Sequence, residues 1–493
     1  MADVTTFLGG IGTKADAGLI PGVCTQAAWA ASLDATDFMG ANGGYLVDAS
    51  TTADITDNLN GTLDVASLNA FSAFGNDELA GCYIYIYNCS GVATGYYLIT
   101  SNSASLVICS DTNLIATGYT SSASADFYIG GAGDTTLTAG LQAALDHLGT
   151  YVANGTNNVD ILYNEDLTLT ATIDIDNIVG SATTMARLIG TDSSFADTGD
   201  QITIDTTTTL SDGLFDFPAS GSAVYITFEN IDFYGGGKDA SRAAHCVNES
   251  ATGGASDNII FVNCTFRGAS DHGVLQESDS WSFYGCTFTL NGGSGFYSLD
   301  GLNNEFIGNK FIDNDEHGLY STGARIRVIG NIAQGNGQDS SVGYGFYLDN
   351  EFYCIGNTAK DNYADGFFAD SSSFVTVMCN NTSSGSETGY GFNLDGRENI
   401  IFFGHNHAYD NTGNGTTITH CSEVLDTGFA AYKNGDNITG DPNLNATTYI
   451  PDADSPLIDA GVGGTGDTIG ALCATAGGGG SGGRLMRARR HNV

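Results

Sequence analysis

The chain has 493 residues, 56 of them acidic and 15 basic, for a formal charge of −41; glycine accounts for 68 and proline for 5. That charge excludes a general nucleic-acid-binding surface, which needs clustered Lys and Arg, and it disfavours an anionic membrane surface. Glycine with so little proline excludes collagen, and a hydrophobic content of 42% excludes wholesale disorder.

At the start, no Lys or Arg precedes an apolar run between Met1 and Leu8, so no secretory signal is expected. No stretch approaches the ~20 apolar residues of a membrane span. Residues 80–131 alternate strongly, as in Cys82-Tyr83-Ile84-Tyr85-Ile86-Tyr87. They predict a small β-rich module within 1–131, suited to attachment or oligomerisation. Thr136 to Leu148 has apolar residues at helical spacing. Within 132–158 it predicts a short helix capping the open end of the elements that follow.

A repeat then dominates the chain. Phe261, Phe283, Phe306, Val328, Cys354, Met378 and Phe403 mark equivalent positions at intervals of 22, 23, 22, 26, 24 and 25 residues. A second phrase keeps step with it: His272-Gly273, Ser294-Gly295, His317-Gly318, Tyr344-Gly345, Asp365-Gly366 and Tyr390-Gly391. Each unit holds short alternating runs split by Gly, Asn and Asp turns, with no helical pattern and no leucine-rich consensus. An all-β coil of this length, stacked on its neighbours, predicts a right-handed single-stranded parallel β-helix over 159–425. Asn309, Asn331, Asn357, Asn381 and Asn406 fall in one column, as a hydrogen-bonded ladder would place them. The 11 cysteines contain no CxxC pair and no Cys/His cluster of zinc spacing, so buried free thiols are expected and a metal site is not.

Through the phrases Ile-x-Gly-Asn and Gly-Phe-x-x-x-Asp, residues 160–425 resemble NosD-type and pectate-lyase-like β-helix proteins. The helix-then-coil start is similar to that of phage tailspikes. The resemblance implies an all-β solenoid; these families include lyases, hydrolases, epimerases, tailspikes and inert surface proteins, so it implies no single activity. After the solenoid, Gly440-Asp441-Pro442, Ser455-Pro456-Leu457 and Asp467-Thr468-Ile469-Gly470 resemble the closing segment of surface β-helix proteins, predicting a cap over 426–475. A glycine-rich linker and a basic tail occupy 476–493. Arg484, Arg487, Arg489 and Arg490 in that tail carry +4, leaving −45 on the rest. The tail is open to an acidic partner, to nucleic acid or to a neighbouring copy of the body; nucleic acid is excluded for the body only.

A glycoside hydrolase needs two carboxylates about 5–9.5 Å apart, which stacked coils supply at about 4.8 Å per coil. Glu277, four residues after a repeated glycine, and Asp300, five after the next, are candidate catalytic carboxylates. His272 and His317 precede repeated glycines, and Trp281, Tyr297 and Tyr320 are candidate sugar contacts. Ordinary turn chemistry is the leading explanation of acids at these positions, as in Asp349-Asn350, Asp370-Ser371 and Asp395-Gly396. A lyase is disfavoured because bases in the coils are scarce: Arg267, Lys310, Arg325, Arg327, Lys360 and Arg397. Ca²⁺ on surface carboxylates is a further option, although no known calcium loop occurs.

These features point first to a virion-associated or cell-surface structural and binding protein, such as a phage spike, fibre or capsid decoration. Its expected partners are surface polysaccharide or other virion proteins, with no membrane contact, and it is expected to form a homo-oligomer, with a trimer in view. A glycan-degrading tailspike-like or secreted glycoside hydrolase or lyase, and a bacterial adhesin, are the alternatives.

Overall fold

The computed structural model describes residues 4–8, 46–48, 53–57, 62–66, 83–87, 95–103, 105–110, 121–130, 141–142, 145, 159–163, 166–176, 178–181, 185–190, 198–217, 223–240, 242–249, 256–337, 342–370, 376–394, 400–412, 434–435, 438–439 and 441. The basic tail, most of the expected C-terminal cap and most of the expected capping helix lie outside these residues. Of that helix, residues 141, 142 and 145 are described as helical, with Leu141 and Leu145 buried. The chain divides into two units, one of residues 1–173 and 177–203, the other of 174–176 and 204–493.

In the first unit, seven antiparallel strands between Leu46 and Gly130 form one sheet. Ser121–Gly130 pairs with Leu46–Asp48 and Ala53–Asp57, and also with Tyr83–Tyr87 at the far end of the strand order. The sheet therefore closes on itself, which removes the exposed edge that an open sheet would carry. Ile55, Val65, Val107 and Cys109 are buried within it. The alternation of apolar residues seen in 80–131 is the pattern such a one-sided sheet requires.

The second unit is a stack of parallel coils. Each coil contributes one short strand to each of three sheets. The first sheet runs through Ile226–Glu229, Ile259–Val262, Ser282–Tyr284, Glu305–Ile307, Ile326–Ile329, Phe352–Ile355, Thr376–Cys379 and Ile400–Gly404. The second runs from Ile231–Tyr234 through Thr265–Arg267, Thr287–Thr289 and Lys310–Ile312 to His407–Tyr409. The third runs from Phe215–Phe217 through Val247–Glu249, Val274–Gln276, Phe296–Ser298, Leu319–Ser321, Phe346–Asp349 and Phe367–Asp370 to Phe392–Asn393.

Parallel in-register pairing puts like on like. Phe228, Phe261, Phe283 and Phe306 stack inside the first sheet with ring centroids 5.0–5.3 Å apart. Phe233, Phe266, Phe288 and Phe311 do so inside the second at 4.7–5.3 Å. These columns are the core, and ring stacking adds to their burial.

Between the first and second sheets a single residue turns the chain in the left-handed region: Asn263, Gly285, Gly308, Gly330, Gly356, Asn380 and His405, all with φ between 51° and 67°. Glycine and asparagine are the residues that adopt this conformation at least cost, which explains the repeated Gly-Asn phrase. Cys264 and Cys286 follow the first two of these turns; after the other five the next residue is a fully buried asparagine that forms the ladder. Asn309, Asn331, Asn357 and Asn381 each donate from Nδ2 to the next Oδ1 at 3.0–3.1 Å. A second ladder, absent from the sequence reading, joins Asn291, Asn314, Asn336 and Asn362 between the second and third sheets. Cys264, Cys286, Cys354 and Cys379 are buried free thiols along the first turn and sheet.

Candidate functional site on the third sheet

Strand residues of the third sheet alternate between the core and the outer face. Val274, Phe296, Leu319, Phe346 and Phe367 point inward, leaving Leu275, Tyr297, Tyr320, Tyr347 and Phe368 outside in register. Their rings stack: Tyr297 on Tyr320 at 4.7 Å, Tyr320 on Tyr347 at 4.3 Å and Tyr347 on Phe368 at 4.9 Å. Beside this column runs the residue that precedes each repeated glycine. His272 lies parallel to Tyr297 at 4.4 Å, and His317 lies between Tyr320 and Tyr344, 5.1 Å from each. Because each ring face is covered by its neighbour, the ladder offers ring edges and phenol hydroxyls to solvent.

Both histidines are oriented by backbone. The Ser294 N–H donates to His272 Nδ1 at 3.0 Å, and the Tyr344 N–H to His317 Nδ1 at 3.3 Å. The neutral imidazoles therefore carry their proton on Nε2. Burial pushes both pKa values down to about 4, so both are neutral at pH 7. His272 Nε2 lies 3.4 Å from Asp271 Oδ1.

Asp271 has a counterpart. The Gly293 N–H donates to Asp271 O at 2.7 Å, and the Glu316 N–H donates to Gly293 O at 3.1 Å. Asp271, Gly293 and Glu316 thus form one column, with the two acids two coils apart, about 9.5 Å along the stack. A Cβ on Gly293 would stand 2.6 Å from Asp271 Oδ1 and 2.6 Å from His272 Nδ1, so the missing side chain makes room for both. Glu316 Oε2 accepts from Ser294 Oγ at 3.4 Å. Burial first, then the charges of Asp271 and Asp315, raise the Glu316 pKa. The Tyr297 hydroxyl is held protonated by burial, by Tyr320, and by the charges of Glu316 and Asp271. Asp271, His272, Tyr297, Glu316 and His317 therefore converge on one patch.

The structure brings four of the sequence candidates, His272, His317, Tyr297 and Tyr320, to this patch, and leaves the other three elsewhere. Trp281 is a correction: it is fully buried, 4.9 Å from Phe217, with Nε1 donating to Ser256 O at 2.8 Å, so it has no ring to offer a ligand. Glu277 and Asp300 lie beyond the far end of the third-sheet strands. Glu277 is five residues from His272, about 16 Å along an extended chain. The register of Gln276 with Ser298 sets Leu299 level with Glu277 and carries Asp300 one step past it. Neither carboxylate faces the histidines. Sequence reasoning missed Asp271 and Glu316, although both precede a His-Gly pair, in Asp271-His272-Gly273 and Glu316-His317-Gly318.

Near Glu277 lies a buried carboxylate that was also missed. Glu249, fully buried, accepts the Glu277 and Ser278 N–H groups on Oε2 at 2.9 and 2.8 Å. Burial pushes its pKa up to about 7 against those hydrogen bonds. Among the described residues no group of three His, Cys, Asp or Glu side chains converges as a metal site, so the calcium option has no constellation there.

Comparison with known proteins supports the fold. The description "Right handed beta helix region" matches residues 195–351. With the parallel coils above, it makes this unit a right-handed parallel β-helix. A search of curated proteins finds no match. Among solved structures, pectate lyase Pel9A is similar at 16% identity, over 65% of this chain and 90% of that one, with a TM-score of 0.44. The A-module of mannuronan C-5 epimerase AlgE4 from Azotobacter vinelandii is similar at 16% identity, over 57% and 76%, with a TM-score of 0.40. The catalytic unit of a GH87 α-1,3-glucanase from Streptomyces thermodiastaticus is similar at 10% identity, over 83% and 94%, with a TM-score of 0.31.

Proposed function

We propose that this protein is displayed on a virion or cell surface and holds a polysaccharide against the outer face of its third sheet. The observation that carries the reading is the convergence of Asp271, Glu316, His272 and Tyr297 around Gly293. Sugars are recognised by hydroxyl-binding carboxylates and phenols set beside apolar ring edges. A ladder that repeats every coil suits a linear polymer lying along the stack. A rigid solenoid with a large negative charge suits an exposed, soluble surface.

A second reading, hydrolysis of that polymer, is favoured by the two-coil spacing. Inverting glycosidases hold their carboxylates about 6.5–9.5 Å apart, with a proton on one and a water activated by the other. Glu316, raised by burial, would be the acid, and Asp271, more exposed, the base.

The test is titration of the purified protein with a panel of neutral, amino and acidic oligosaccharides. Asp271→Asn and Glu316→Gln should each weaken binding at least tenfold. New reducing ends, lost in both variants, would establish hydrolysis. Binding by no member of the panel would sink the reading altogether.

A further inference from the structure

The outward column of the third sheet changes chemistry at both ends. Asn248 is followed in register by Leu275, then by the rings of Tyr297, Tyr320, Tyr347 and Phe368, and then by Asn393. At one end Asn248 Nδ2 donates to Asp216 Oδ1 at 2.6 Å. At the other, Asn393 Nδ2 donates to Asp365 Oδ2 at 2.9 Å. Both amides are thus engaged within the protein, and a run of four stacked rings stands between them. Among the described residues no other sheet stacks ring on ring along its outer face.

Stacked rings steady in-register strands, and the phenylalanine columns of the core already do so. The outer rings add what the core cannot, a hydroxyl on each of three successive coils. Burial first, then the neighbouring Tyr320, raises the pKa of Tyr297 and of Tyr347, so both stay protonated as hydrogen-bond donors. The donors recur with the coil, at about 4.8 Å. A ligand that meets them together must repeat at the same pitch. An extended peptide does not, because its carbonyls on one side recur every second residue, at about 6.6 Å. A pyranose chain linked through equatorial bonds across the ring is flat and extended. It advances one sugar in close to one coil, and every sugar presents hydroxyls along its edges. A chain with axial links coils away from a straight column.

We infer that the glycan held here is an extended, equatorially linked ribbon of the β-1,4 kind, lying along the column with one sugar against each ring from Tyr297 to Phe368. The inference rests on the glycan reading above and names the geometry of its substrate.

The experiment titrates the purified protein calorimetrically with β-1,4-linked oligomers of glucose, of N-acetylglucosamine and of mannose, and with α-1,4-linked glucose oligomers, in lengths from a dimer to an octamer. At equal length, a β-1,4 series should bind at least tenfold tighter than the α-1,4 series. Its affinity should climb with length to about four or five sugars, one for each ring, and then change less than twofold. Asn393→Tyr adds a ring in register with Phe368 and should move that plateau one sugar longer. Phe368→Ser should move it one sugar shorter. Tyr353→Ser, at an exposed tyrosine on the outer face of the first sheet, should leave it where it is. Equal or tighter binding of the α-1,4 series, an affinity independent of length, or a plateau that neither Asn393→Tyr nor Phe368→Ser moves would overturn the inference. If only coiled or branched members of the wider panel bind, and Asp271→Asn abolishes it, the glycan reading stands without the ribbon. If no member of the panel binds, both fall.

Discussion

Asp271 and Glu316 share one column of the stack, two coils apart, and Gly293 joins them by a backbone hydrogen bond to each. The glycine between them is occupied space: the Asp271 carboxylate and the His272 ring lie where its side chain would be. Gly293→Ala should therefore displace the carboxylate while leaving the coil paired. The expected outcome is a tenfold or greater loss of glycan affinity with a melting temperature within a few degrees of the parent. A variant that binds normally would show that the placement of Asp271 does not matter.

Asn331 receives the Asn309 N–H at 2.8 Å and donates to Phe306 O at 2.9 Å, all without solvent access. Asn331→Ala would leave two buried backbone groups unpaired, at about 1–3 kcal/mol each. Urea unfolding should show a loss of about 2–5 kcal/mol. Asn331→Asp should cost more at neutral pH, because it adds a buried charge.

Glu249 titrates near pH 7 when folded, against an ordinary value near 4.5. The folded state then binds more protons than the unfolded state between those values, so this group's contribution to stability falls as pH rises from about 4.5 to 7. The full effect is on the order of 3 kcal/mol at about 1.4 kcal/mol per pKa unit. Glu249→Gln keeps an acceptor for the Glu277 and Ser278 N–H groups without the charge. It should raise the melting temperature at pH 8 and leave it little changed at pH 4.5.

His272 and His317 shift the other way, from 6.5 down to about 4. The unfolded state binds more protons in that window, so stability is fully present above about pH 6.5 and is lost as pH falls toward 4. The raised carboxyls of Glu249, Asp257, Asp313 and Glu316 act in the opposite sense, so the histidine contribution is read as a difference between proteins. In thermal melts from pH 6.5 to 4, His317→Gln should lose less stability than the parent over the same interval.

Trp281 separates core from site. Trp281→Phe removes the Nε1 bond to Ser256 and part of the ring packed on Phe217. The expected cost is about 1–3 kcal/mol of stability. Glycan affinity should stay within twofold of the parent, and a tenfold loss would place the indole at the ligand after all.

The fold was legible because stacking repeats chemistry. Phe261, Phe283 and Phe306 recur at one interval since each must fill the same place in the core, and Asn309, Asn331 and Asn357 recur since each must answer the one before it. The site was half legible by the same logic: His272, His317, Tyr297 and Tyr320 stand in the repeat and on the patch. The carboxylates Glu277 and Asp300 stand apart from the histidines because the repeat counts positions along the coil and does not say which flank of a strand a turn residue occupies. Glu277 and Asp300 follow the third-sheet strands, Asp271 and Glu316 precede them, and only the folded coil shows that the preceding turn carries the histidines.

The sequence by itself determined the coil length, the inward columns and the asparagine ladder, because in-register pairing makes each a periodic requirement that the residues must meet. Tertiary structure alone decided that Trp281 is buried, that Lys238 reaches an acid 77 residues away, and that Asp271 and Glu316 share one column with Gly293 between them. Those outcomes depend on side-chain direction at turns and on contacts between coils, which spacing along a single chain does not specify.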